Sequence, residues 1–199
     1  MLLPGTIRRI ILTGFMGAGK STVGALLAQA LGWRFLDSDM AIETRTGMTI
    51  AQIFEQQGES SFRTLETAAI AEVTREEHLI LALGGGALES APTRQLLARL
   101  DDACIIFLEA PLEVMIARCL AQPGAAERPV LAASDRLPAR LASRLPWYRE
   151  AHLTIATEGS TPDAVVDRIL NHLRDRCVTA DARTHVKTAS GSRKAVITE

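Results

Sequence analysis

The chain has 199 residues, 47% of them hydrophobic and 23% charged, with a formal net charge of -1; this composition suits one soluble globular domain built on a single core. Such a balance offers no broad basic field for nucleic acid, although local arginines can still bind small anions. No stretch approaches the ~18 consecutive apolar residues of a membrane span, and Met1-Leu2-Leu3-Pro4-Gly5 lacks the charged start and apolar core of a signal peptide, so a cytoplasmic protein with no membrane partner is expected.

Arg8-Arg9-Ile10-Ile11-Leu12-Thr13 is a short β-branched run suited to a buried strand, and Ser21 to Leu31 is a helix-forming stretch that stops at Gly32. Between them stands Gly-Phe-Met-Gly-Ala-Gly-Lys-Ser-Thr at 14–22, which fits the G-x-x-x-x-G-K-[ST] phosphate loop. In that loop the backbone N–H groups of Gly17, Ala18 and Gly19 close around phosphate oxygens, Lys20 reaches the terminal phosphates, and Ser21 and Thr22 add hydroxyls, Ser21 as a Mg²⁺ ligand. Strand, loop and helix follow in the order that points a helix N-terminus at an anion, which identifies a nucleoside triphosphate as ligand. The bland alternative is a flexible turn with a solvated Lys20.

Phe35 to Leu36 is the next strand, and Asp37-Ser38-Asp39 sits at its end. Two carboxylates at i, i+2 allow one to face a metal and the other an acceptor; alternatively they cap a helix beginning near Met40. Gly58 reads as a helix stop, after which serines restart a helix carrying Arg63 and Glu66 at i, i+3, a spacing that also fits a plain surface ion pair. Leu79 to Leu83 is a third apolar strand, and Gly84-Gly85-Gly86 after it removes side chains where a ligand must lie against backbone.

Cys104 to Leu108 forms a fourth strand and Leu153 to Ala156 a weaker fifth, with helical patterns in the gaps. The alternation predicts an α/β fold, a doubly wound five-stranded parallel sheet flanked by helices, with its ligand site at the carboxyl ends of the strands. Between Ala121 and Asp135 two prolines and a glycine break helical periodicity around Arg128, as in a mobile lid. Arg136, Arg140 and Arg144 share the following helix, where Arg144 is either functional or an exposed charge, and Trp147 and Tyr148 fit core packing. Residues 1–176 then form a single domain, and 177–199, rich in Thr, Ser, Ala and basic residues, a disordered tail. Cys104, Cys119 and Cys177 are odd in number and widely spaced, as reduced thiols are.

From about Arg8 to Leu173 these segments, in this order, resemble shikimate kinase, a P-loop kinase family of the nucleoside-monophosphate-kinase structural group. The parts that carry the resemblance are the phosphate loop, Asp37-Ser38-Asp39, Phe62-Arg63-Thr64-Leu65-Glu66, Gly84-Gly85-Gly86, Glu127-Arg128-Pro129-Val130-Leu131 and Arg144-Leu145-Pro146-Trp147-Tyr148. The resemblance implies transfer of the γ-phosphoryl group of ATP to the 3-hydroxyl of shikimate, in aromatic amino-acid biosynthesis, by a monomer that uses Mg²⁺. It assigns the substrate carboxylate to Arg63 and Arg144, the ring hydroxyls to Asp39, backbone contacts to Gly85 and Gly86, the metal to Ser21 and Asp37, the adenine to Arg118, and the bridging oxygen to Arg128 on the lid. Lys20, Asp39 and Arg128 would be the catalytic groups. This chain departs from many relatives at Ser160-Thr161-Pro162, where they place an arginine and asparagine before the proline that borders the adenine. Two other readings stay open on the residues: a kinase of the same fold acting on gluconate or a nucleoside monophosphate, and a non-catalytic module that senses a small acid.

Overall fold

Every residue of β1 (Arg9–Thr13) is buried, because a strand in the middle of a parallel sheet is covered on both faces. The structure, a computed structural model, describes residues 7–121 and 134–174. Most of the expected lid, including Arg128, and the whole of the expected tail lie outside the described residues.

All five expected strands are present as β1, β2 (Arg34–Asp37), β3 (Leu79–Ala82), β4 (Ala103–Glu109) and β5 (Leu153–Ala156). They pair in parallel in the order β2-β3-β1-β4-β5. Between them come α1 (Lys20–Leu31), α2 (Ser38–Thr46), α3 (Ile50–Val73), α4 (Ala91–Leu97), α5 (Leu112–Leu120), α6 (Leu137–Tyr148) and α7 (162–174). Neighbours β1 and β3 send their onward connections toward opposite edges of the sheet, β1 to β2 and β3 to β4. A crevice opens at the carboxyl ends of strands arranged in this way.

Local chemistry sets the helix ends. α1 stops where Gly32 takes a left-handed conformation (φ 68°) and its N–H bonds the Ala28 carbonyl, the usual glycine termination. α3 opens with a capping box between Thr49 and Gln52 and breaks at Gly58, whose φ of 77° is non-helical, so the stop and restart read from the sequence are both there. One boundary differs from expectation. α2 begins at Ser38 rather than near Met40, because the Asp37 carboxylate accepts the Asp39 N–H and caps the helix.

The main core joins both sheet faces to α1, the inner sides of α5 and α6, and α7. Tyr148 is fully buried there and Trp147 packs against the same core, as their sequence context suggested. A second, smaller cluster of Ile42, Ile53, Phe62 and Ala69 ties α2 to α3, the helices that carry Asp39 and Arg63. Cys104 and Cys119 are both buried. Among the described residues no helix is long and apolar enough to cross a membrane.

Candidate active site

The glycine loop leaves β1 and wraps the start of α1. Gly17 holds a φ of 73°, and a β-carbon there would lie 2.1 Å from the Met115 carbonyl oxygen, so the loop can seat against α5 only without a side chain. Lys20 is half-buried and folds back, its Nζ donating to the Gly14 carbonyl at 2.8 Å and the Phe15 carbonyl at 3.0 Å. Burial pushes its pKa down to about 8, against the pull of Asp37 and Asp39. Ala18 is buried, whereas Ser21 and Thr22 are exposed at the mouth of the loop.

Asp37 does two things. While one oxygen caps α2, the other accepts the Ser21 hydroxyl at 2.8 Å, so the strand end is tied directly to the phosphate loop. The capping reading of this aspartate is therefore observed, and capping leaves its second oxygen on the phosphate loop. Ser21 and Asp37 together present hard oxygen donors of the kind Mg²⁺ prefers. Among the described residues no cluster of three or more His, Cys, Asp or Glu gathers as a metal site.

Asp39 lies in the first turn of α2. Its Oδ1 is buried without a hydrogen-bond partner, and burial, with Asp37 adding to it, pushes the carboxyl up to about 6. Glu66 is in the same position from α3: its Oε1 is also buried and unpartnered, and burial pushes it up to about 7 although Arg63 bonds its other oxygen at 2.8 Å. A side chain at Gly84 would meet Asp39 Oδ1 at 2.5 Å and Glu66 Oε1 at 2.8 Å, so the strand-end glycine is what lets these two acids converge. The Gly84 N–H is held by the Ser38 hydroxyl at 2.8 Å.

Arg63 and Arg144 meet over the next glycines. A β-carbon on Gly86 would lie 2.5 Å from Arg63 Nη2 and 2.9 Å from Arg144 Nη2, and one on Gly85 would lie 3.6 Å from Arg144 Nη1. Gly85 also faces the phosphate loop, near the Gly14 carbonyl and the Met16 N–H, and thus marks the boundary between the two halves of the crevice. Arg144 sits over the Phe15 ring, 5.8 Å from its centroid. Its exposure is only 12%, and that of Glu66 is 1%, so neither the Arg63–Glu66 pair nor Arg144 is the solvated surface charge that spacing alone allowed.

Arg118, at the end of α5, donates to Thr157 Oγ1 at 2.8 Å, to the Thr157 carbonyl at 2.7 Å and to the Gly17 carbonyl at 3.5 Å. It is thereby pinned beside the loop. Ser160 accepts from Arg168 at 2.9 Å just before α7.

Four participants escape a reading of the sequence: Thr157, which fixes Arg118; Tyr148, whose hydroxyl donates to the Gly85 carbonyl; Ser38; and Glu89, which bonds both site arginines. Their contacts span from 26 to 63 residues of chain, and only Ser38 and Tyr148 stood inside segments that carry the resemblance.

Comparison with known proteins agrees with this geometry. The family model described as Shikimate kinase matches residues 16–174. A shikimate kinase of Geobacter sulfurreducens is 41% identical over 178 residues, covering 88% of this chain and 96% of its own. Among solved structures, shikimate kinase from Acinetobacter baumannii in complex with shikimate superposes with a TM-score of 0.79 at 40% identity, covering 86% of this chain and 95% of that one. The enzyme from Aquifex aeolicus gives 0.72 at 34% identity, with 83% and 95% covered. A phosphate loop, a strand-end acid, paired arginines over glycine, and likeness to these proteins along nearly their whole length lead to one conclusion: the chain belongs to the shikimate kinase family.

Proposed function

We propose that the chain transfers the γ-phosphoryl group of ATP to the 3-hydroxyl of shikimate, forming ADP and shikimate 3-phosphate for aromatic amino-acid biosynthesis. The observation that carries this reading is the convergence of Arg63 and Arg144 over Gly86, beside the buried, unpartnered Asp39 Oδ1 and across Gly85 from the phosphate loop. A ligand with one carboxylate and several hydroxyls satisfies both features at once, since paired guanidiniums grip a carboxylate through charge-assisted hydrogen bonds.

In the donor half, the N–H groups of Gly17, Ala18 and Gly19 cradle the phosphates, Thr22 flanks them, and Lys20 exchanges its loop carbonyls for phosphate oxygens. Ser21 and Asp37 fit Mg²⁺ as direct ligand and orienting carboxylate. When bound, the ion neutralises triphosphate charge. Arg118, pinned by Thr157, offers a flat guanidinium for the adenine. The acceptor hydroxyl donates to Asp39; as its oxygen bonds the γ-phosphorus and the bond to the β,γ-bridging oxygen breaks, its proton passes to Asp39 and ADP departs. Gly85 and Gly86 leave the backbone open to the ring. Arg128, outside the described residues, is assigned to the bridging oxygen by the family resemblance, in the manner of an arginine finger supplied in cis. A cytoplasmic monomer suffices for this chemistry.

The test is a coupled assay of ADP release with shikimate, gluconate and AMP offered in parallel. Shikimate should be preferred by orders of magnitude in kcat/KM; a preference for either of the others would overturn the reading.

A further inference from the structure

Glu89 lies on the 3₁₀ turn Ala87–Glu89 that follows the strand-end glycines. Its Oε2 accepts from Arg63 Nη2 at 3.0 Å and from Arg144 Nη2 at 3.1 Å, and its Oε1 accepts from Arg144 Nε at 3.0 Å. Two guanidiniums that both reach within 2.9 Å of one point above Gly86 repel each other unless an anion stands with them. Three carboxylates serve here, and they differ. Glu66 is enclosed, with 1% of its side chain exposed, and bonds Arg63 only; Glu59 is 66% exposed and bonds Arg63 only. Among the described residues, Glu89 is the one whose carboxylate joins both arginines, in the bridging place that the reading above gives to the carboxylate of the acceptor.

We propose that Glu89 is an internal stand-in for the substrate carboxylate, which bridges Arg63 and Arg144 in the free protein and must leave them when the acid substrate binds. The inference rests on the assignment of those arginines to the acceptor. The Nε–Nη2 fork of Arg144 is already filled by Glu89, and Arg63 Nη2 is shared between Glu89 and Glu59, so a fourth carboxylate added to the three present would be repelled. Glu89 can move: it is 34% exposed and stands on a three-residue turn. Partial burial pushes its carboxyl up, but the hydrogen bond and charge of Arg144, with Arg63 beyond, outweigh this and hold it below its ordinary value, so the stand-in is charged whenever the enzyme works. Its contact keeps the arginines together without substrate, and small anions must displace it to enter. Apparent affinity for the acid is reduced by the fraction of molecules in which the bridge is closed.

The experiment compares wild type, Glu89→Gln and Arg144→Ala, measuring KM for shikimate and calorimetric affinity for shikimate and for its neutral carboxamide. Neutralising the stand-in should lower KM for shikimate about 3- to 10-fold by raising the open fraction and removing a repelling charge, and the tighter binding should be greater for the carboxylate ligand than for the carboxamide, which gains only from the opening. A KM that is unchanged or raised in Glu89→Gln, or an equal gain for the carboxamide, overturns the inference, provided that Arg144→Ala still raises KM about tenfold or more. If Arg144→Ala leaves KM unmoved, the assignment of the arginines itself falls, and this inference with it.

Discussion

Gly86→Ala separates the packing of the site from its chemistry. The backbone at Gly86 has φ −107° and ψ 1°, which alanine can adopt. The added methyl would stand 2.5 Å from Arg63 Nη2 and 2.9 Å from Arg63 Nη1 and Arg144 Nη2, where ordinary contact begins at 3.4 Å. Both guanidiniums must therefore retreat by about 0.5–0.9 Å, enough to carry a charge-assisted hydrogen bond out of range. Because the displaced atoms are the far ends of long side chains, the fold gives way at little cost, and thermal unfolding should shift by less than about 1 kcal/mol equivalent. Losing one hydrogen bond to a charged group costs about 1.5–3 kcal/mol, so KM for shikimate should rise about 10- to 100-fold, while KM for ATP stays near that of wild type. Steady-state kinetics with each substrate varied, beside a melting curve, reads all three. A KM for shikimate within about twofold of wild type would refute the assignment of this space to the acceptor carboxylate.

Asp39→Asn should lower kcat by about 10²- to 10⁴-fold and leave ATP affinity, measured by calorimetry, within a few-fold; undiminished turnover would remove Asp39 from the mechanism. The pH profile should be bounded on both sides. Burial raises Asp39 to about 6, so its working, ionised form is lost as pH falls through that value and kcat/KM for shikimate declines; burial lowers Lys20 to about 8, so its charge is lost as pH rises through that value and kcat/KM for ATP declines. An acid limb near the ordinary aspartate value would show that Asp39 is not held as described.

The phosphate loop and the strand-end positions were legible because each depends on a short contiguous stretch: glycines at fixed spacing after an apolar run, or an acid just past a strand. Asp37 looked ambiguous between capping and function because a local sequence cannot show that its second oxygen reaches Ser21, 16 residues away. Arg63 and Glu66 have the spacing of any helical surface pair; only the approach of Gly84 and α2 encloses the glutamate. Glu89 was illegible because its significance lies in Arg144, 55 residues on. Contacts created by folding carry no local pattern, and at this site they hold the arginines, the tyrosine and the threonine in place.

In the proposed reaction the two halves of one crevice join ATP to a hydroxylated carboxylic acid. Following ADP release from purified full-length protein with Mg²⁺ and ATP, in the presence and absence of shikimate, and identifying the product by ³¹P NMR, tests this joining. The structure predicts ADP release that depends on shikimate and matches, mole for mole, a phosphate monoester on the 3-hydroxyl. ADP release unaffected by shikimate, or phosphate appearing on another acceptor, would contradict it.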